Sequence, residues 1–171
     1  MDIRIVKTKR AIRAAFLELR KQQDLEKIKV VDLCALAEIN KTTFYKYYEY
    51  IHDLSNQLEE EVFAAFFQEF PAFTELFTNP EEFFRGLPPA FDTQGDLIRL
   101  LYRNRYEAFM TRLEKQLEAY YLPNRPEGFS DAKIAFIISG AIYIFREMKV
   151  VQHYDLDVLV TEVAAIVRSM L

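Results

Sequence analysis

Apolar residues recur along this chain with the 3.6-residue period of helices, and no hairpin turn signal interrupts them. Ile5, Ile12, Phe16 and Leu19 form the inner stripe of a first helix predicted over residues 5–22, with Lys9, Arg13 and Arg20 on its outer face. Residues 24–27 connect it to a short second helix over 29–37, where Val30, Leu33, Cys34 and Ala37 share one side. Asn40 is a good N-cap and opens a third helix over 41–47. There Phe44 and Tyr48 are an i, i+4 pair on one side, while Lys41, Thr42, Tyr45 and Lys46 share another. One side is thus suited to packing and the other to a ligand. A longer fourth helix follows over 51–70 and ends at Pro71, which lacks a backbone donor.

The rest of the chain continues the helical pattern. Asn79-Pro80-Glu81-Glu82 combines an N-cap, a Pro in the first helical position and acids in the first turn. Gly86 and Pro88-Pro89 are expected to stop that helix early, with another short one over 92–101. Near Asn104 the chain either runs on or breaks into a long helix ending about 122. Pro123 to Gly128 is a loop, Ser130-Asp131 caps a long apolar helix to about Val151, and Asp155 caps the last one over 156–170. Leu156, Leu159, Val163, Val167 and Met170 keep the helical period there, which outweighs the strand preference of valine. The expected class is all-α, with domains at 1–50 and 51–171 joined through the fourth helix rather than by a flexible linker.

Charge changes this picture. The chain as a whole carries −4, but residues 1–50 hold 11 Lys+Arg against 7 Asp+Glu, and the remainder 11 against 19. Positive charge is therefore gathered at the first three helices, where Arg4, Lys7, Lys9, Arg10 and Arg13 stand at the head. The bland alternative is a solvated basic helix. Its coincidence with a Lys- and Tyr-bearing helix favours DNA contact. The single Cys excludes an intrachain disulfide and a Cys-built metal site, and its place on an apolar stripe predicts a buried structural thiol. His52 and His153 are far apart, and neither has a metal-ligand partner at the required spacing. Glu59-Glu60-Glu61 reads as a solvated acidic run. With no Gly-rich phosphate loop either, the expectation is a non-enzyme without cofactor or metal. The chain opens without a signal peptide, and its longest apolar run, 134–145, falls short of the roughly 20 residues a membrane span needs, so a cytoplasmic protein is expected.

The segment around residues 28–54 resembles the DNA-binding domain of the tetracycline-repressor (TetR) family of bacterial regulators. The resemblance extends back to Val6-Lys7-Thr8-Lys9-Arg10-Ala11-Ile12, similar to the family's first helix, and forward to Asp53-Leu54, similar to the start of its fourth. Thr43-Phe44-Tyr45 with Tyr48 is its most specific part. Two positions depart from the family pattern. Glu38 stands where the inter-helix turn usually has a Gly in a left-handed conformation, and Tyr50-Ile51-His52 lacks the usual Lys at the start of the fourth helix. The resemblance implies a helix-turn-helix domain, a helical ligand and dimer domain, and a homodimer that binds operator DNA, most often as a repressor, under control of a small effector.

Phosphate contacts are expected from Lys7, Lys9, Lys29, Tyr47 and His52, and base contacts from Lys41, Thr42, Thr43 and Tyr45, with Lys46 on the same outward side. By the resemblance, Tyr45 meets the DNA backbone or a base and Tyr47 a phosphate. Nine of the 15 Phe lie between Phe63 and Phe91. Most must be core, and a subset is expected to line an apolar effector cavity, with Phe67, Phe84, Tyr102, Arg105, Tyr106, Phe109 and Met110 as candidates. An inward Arg105 would need a carboxylate partner, and Arg146 on its apolar helix poses the same question. The last two helices, apolar nearly all round, are expected to form a four-helix dimer seam through Ile138, Ala141, Phe145, Val163 and Val167. A second reading keeps the fold but uses a degenerate helix-turn-helix to bind a protein partner.

Overall fold

All regular structure among the described residues is helical in this computed structural model, which covers residues 3–70, 72–150 and 155–170, with backbone alone at 90–92, 145–150 and 156. Pro71, Val151 and His153 lie outside the described residues, as do the side chains of Phe91, Phe145 and Arg146. The helices are α1 (Ile3–Gln22), α2 (Val30–Leu36), α3 (Lys41–Tyr45), α4 (Ile51–Gln68), α5 (Glu75–Thr78), α6 (Pro80–Tyr102), α7 (Tyr106–Tyr121), α8 (Asp131–Val150) and α9 (Leu156–Met170), with single 3-10 turns at Leu25–Lys27 and Arg103–Arg105. Of the four expected side-chain caps, those of Asn40, Ser130 and Asp155 form, while the Asn79 side chain makes no capping bond among the described residues. Asn40 Oδ1 accepts from the Thr43 amide at 2.7 Å, Ser130 Oγ from the Lys133 amide at 3.3 Å, and Asp155 Oδ1 from the Asp157 amide at 2.9 Å.

Packing divides the chain into two units, Met1–Ala65 with Gln94–Arg105, and Phe66–Thr93 with Tyr106–Leu171. The first is longer than the expected 1–50 and discontinuous. Its core is Ile12, Ala15 and Phe16 of α1, Leu25, Ile28, Leu33, Cys34 and Phe44, with Leu54, Leu58 and Val62 of α4. Polar bonds tie residues 94–105 into it. Arg20, placed on the outer face by the sequence pattern, is 2% exposed. Its guanidinium donates to the carbonyls of Gln23, Leu100 and Leu101 at 3.1, 3.0 and 3.0 Å. One cation therefore closes the C-terminal ends of two helices, α1 and α6, where partial negative charge accumulates. Burial pulls its pKa below the ordinary range, and Arg105 and Arg103 push the same way. Asn104 adds a bond to Asp24 at 3.0 Å.

Glu59 corrects the reading of the acidic run. It is 7% exposed, accepts from Ser55 Oγ at 2.8 Å and pairs with Arg105 at 2.6 Å. Only Glu60 and Glu61 of that run face solvent, and Glu61 pairs with Arg13.

The second unit packs a run of aromatic rings together with α7, α8 and α9. Phe66, Phe67, Phe70 and Phe73 follow one another at centroid separations of 5.3–5.8 Å. Phe73 continues onto Tyr120 at 4.3 Å, and Phe77 meets Tyr121 and Phe129. Lys133 Nζ donates to the Met170 carbonyl at 2.6 Å, which sets the start of α8 beside the end of α9. The expected stop at Gly86 and Pro88-Pro89 does not occur, and α6 is one helix of 23 residues. A Pro inside a helix costs about 3 kcal/mol. Phe83, Phe84 and Leu87 before the pair, and Ile98 and Leu101 after it, are all at most 4% exposed. At about 1.5–3 kcal/mol for each buried side chain, they offset two such defects. Of the two alternatives near Asn104, the chain takes the break, as the 3-10 turn at Arg103–Arg105.

Candidate nucleic-acid interface

The α2–α3 connection is built from backbone bonds that end one helix before the next begins. The Ile39 amide donates to the Cys34 carbonyl at 3.0 Å and the Glu38 amide to Ala35 at 3.3 Å, the paired bonds of a Schellman motif. Glu38 takes the left-handed position, with φ +53°. The turn thus keeps the geometry that favours Gly, at a cost of about 1 kcal/mol for a residue with a Cβ.

Asn40 then fixes the start of α3. Besides the Thr43 amide, its Oδ1 accepts from the Thr43 hydroxyl at 2.8 Å. Phe44 is fully buried and packs on Tyr48 at 5.6 Å, itself 6% exposed, so the inner side of α3 is held by the unit. Burial raises the Tyr48 phenol pKa, and likewise the Cys34 thiol, which suits an unreactive core cysteine. Lys41, Thr42, Tyr45 and Lys46 are exposed on the other side, Tyr45 by 55%.

Among the expected DNA contacts, the structure brings together Lys9, Lys46 and Tyr47. The two ammonium groups lie 5.7 and 6.0 Å from the centroid of the same ring, one from α1 and one from the end of α3. A ring face favours a cation, so Tyr47 lets two like charges stand near each other. Neither lysine is in an ion pair among the described residues, which leaves a seat suited to a phosphate. Lys7 is exposed on α1, and Lys29 is exposed at the N-cap of α2. Thr43 is half-buried with its hydroxyl proton given to Asn40, so it holds the cap rather than offering a donor to a base. His52 is exposed in the first turn of α4. Beside it Ile51 is buried, and Asp53 Oδ2 accepts from the Tyr50 amide at 2.8 Å, so a carboxylate of the chain itself already serves that helix start.

In the second unit a cavity of about 40 Å³ lies among Phe70, Leu76, Phe83, Phe84, Leu87, Met110, Leu113, Leu117, Tyr121, Ile137, Ile138, Ala141 and Ile142. The lining is apolar, as expected, but its members mostly differ from the sequence candidates. Phe84 and Met110 line it. Phe67 stacks on Phe70 outside it, and Phe109 packs between Phe66 and Tyr106. Tyr102 and Arg105 belong to the other unit, where Glu59 supplies the carboxylate Arg105 needs. Aromatic content pointed away from Leu113 and Leu117, whereas their helical spacing with Met110 and Tyr121 on α7 is the signal that finds them.

On α8 and α9, Ile138, Val163 and Val167 are 3%, 7% and 2% exposed, and Ala141 lines the cavity. Side chains already covered by their own unit do not supply a seam. The open faces of the same helices are Phe136 and Tyr143 on α8, and Val158 and Ile166 on α9, each about half exposed or more.

No family model matches the chain, and no curated protein does. Among the described residues there is no cluster of His, Cys, Asp or Glu able to hold a metal ion, and no helix long and apolar enough to cross a membrane.

Proposed function

We propose that this protein is a DNA-binding transcriptional regulator, a repressor of the tetracycline-repressor kind, in which α2, the Glu38 turn and α3 form a helix-turn-helix. The observation that carries this reading is the division of α3 into a side locked by Phe44 and the Asn40 cap and an open side of Lys41, Thr42, Tyr45 and Lys46. A recognition helix needs that division, because base contacts require a rigid element whose reading face is free. Lys41 suits guanine O6 or N7, Thr42 and Tyr45 suit a thymine methyl or a backbone oxygen, and Lys9 with Lys46 and Tyr47 supplies the phosphate anchor.

The protein acts as a homodimer through α8 and α9, with Phe136, Tyr143, Val158 and Ile166 at the seam. A twofold dimer reads two half-sites about 34–36 Å apart. A small apolar effector enters at the cavity beside Phe84 and Met110. About 40 Å³ is far below the roughly 150 Å³ that admits benzene, so entry requires side chains of the layer to move. Weaker affinity for the operator then follows if the effector favours a dimer with altered half-site spacing.

A second reading, a module that binds a protein partner with the same helices, is favoured by the buried Ile51 and the Asp53 carboxylate at the α4 start. Selection from random duplex DNA decides between them. An enriched sequence is expected. Lys41→Ala should weaken it by about 1–3 kcal/mol with relaxed preference at one or two positions, whereas Lys9→Ala should weaken all sequences alike and lower the salt slope by about one unit. No enrichment, or no effect of either change, hands the site to the protein-partner reading.

A further inference from the structure

We infer that Glu38 is an affinity-limiting residue, a fixed negative charge that weakens the hold of this protein on any DNA. The inference rests on the DNA-binding reading above. Glu38 occupies a left-handed backbone position that favours Gly; the backbone bonds of the turn hold that position, and the Glu38 side chain adds nothing to them. Its side chain is exposed, and its carboxylate makes no ion pair or hydrogen bond among the described residues. A strained residue that contributes neither packing nor pairing points outward for its role.

The position of Glu38 supplies that role. It stands three residues before Lys41, so the two Cα atoms are at most about 11 Å apart. That is close to one Debye length at moderate salt, so a phosphate gathered by Lys41 feels the carboxylate. The chain from 1 to 50 carries a net +4, and Glu38 is the acidic residue at the turn itself. Removing one charge at about 10 Å in water should tighten binding about twofold per protomer at low salt, hence about fourfold for a dimer. Reversing it should tighten binding by more than about tenfold.

Three substitutions separate charge from backbone. Glu38→Gln removes the charge and keeps the Cβ, Glu38→Lys reverses the charge and keeps the Cβ, and Glu38→Gly removes both. Affinity for a random-sequence duplex is read by fluorescence anisotropy at about 50 mM and 300 mM salt, and stability by thermal melts. Affinity should follow charge, with Lys tightest, Gln and Gly alike, and the native residue weakest. The differences should shrink at the higher salt. Melting temperature should follow the Cβ, rising for Gly alone. Equal affinities across the four proteins, or tighter binding for Gly alone, would overturn the role of Glu38 while leaving the DNA reading intact. Failure of the native protein to bind any duplex would instead remove the DNA reading itself.

Discussion

Arg20→Met tests whether one buried guanidinium holds two helix ends together. Met keeps most of the side-chain stem in its packing, so the change isolates the polar head. Three carbonyl bonds at 3.0–3.1 Å disappear, two of them at the end of α6. A hydrogen bond to a charged group contributes about 1.5–3 kcal/mol. Part of that is offset, because the head group is buried and stands near Arg103 and Arg105. The partners left behind are neutral carbonyls, which are less costly to strand than a charge. The net loss should be about 2–4 kcal/mol, or roughly 5–15 °C in melting temperature for a chain of this size. Urea unfolding gives the free energy. Hydrogen exchange should show the greatest loss of protection at residues 98–105, ahead of α2 and α3. Arg20→Lys should fall between, since an ammonium lacks the planar fork that reaches three acceptors. A loss below about 0.5 kcal/mol, or uniform exchange throughout the unit, would refute this role of the guanidinium.

If the proposed dimer holds, Phe136→Glu with Ile166→Glu should give folded monomers by sedimentation, with weakened binding to selected DNA, whereas Val163→Glu should unfold its unit because the charge enters the core. A native protein that is monomeric at micromolar concentration and binds selected DNA fully would contradict the proposed seam. Tyr121 donates to the Phe73 carbonyl at 3.0 Å, and burial pushes its phenol well above the ordinary range. A raised folded-state pKa stabilises while the group stays protonated, so that contribution is complete below about pH 10 and is lost as pH rises further. Tyr121→Phe should cost about 1 kcal/mol at neutral pH and flatten the decline between about pH 10 and 11 in melts. A decline as steep in the variant would assign it to other groups.

Features that depend on neighbours within a few residues were legible in the chain alone. Helical class follows from apolar spacing. The starts of α3, α8 and α9 follow from Asn40, Ser130 and Asp155, because a cap reaches two or three residues along the chain. At Glu38 the resemblance marked where a left-handed turn would fall but left open whether a residue with a Cβ keeps it; the backbone does keep it, at φ +53°. Features that depend on partners far along the chain were not legible there. Pro88-Pro89 reads locally as a stop, yet buried side chains on both sides carry α6 through it. Arg20 and Glu59 read as surface charges, yet their partners are carbonyls 80 residues away and an arginine 46 residues away. The cavity wall was misread for the same reason. Ring content says that a residue is apolar, but the facing helices decide whether it borders a void, a neighbouring ring or solvent.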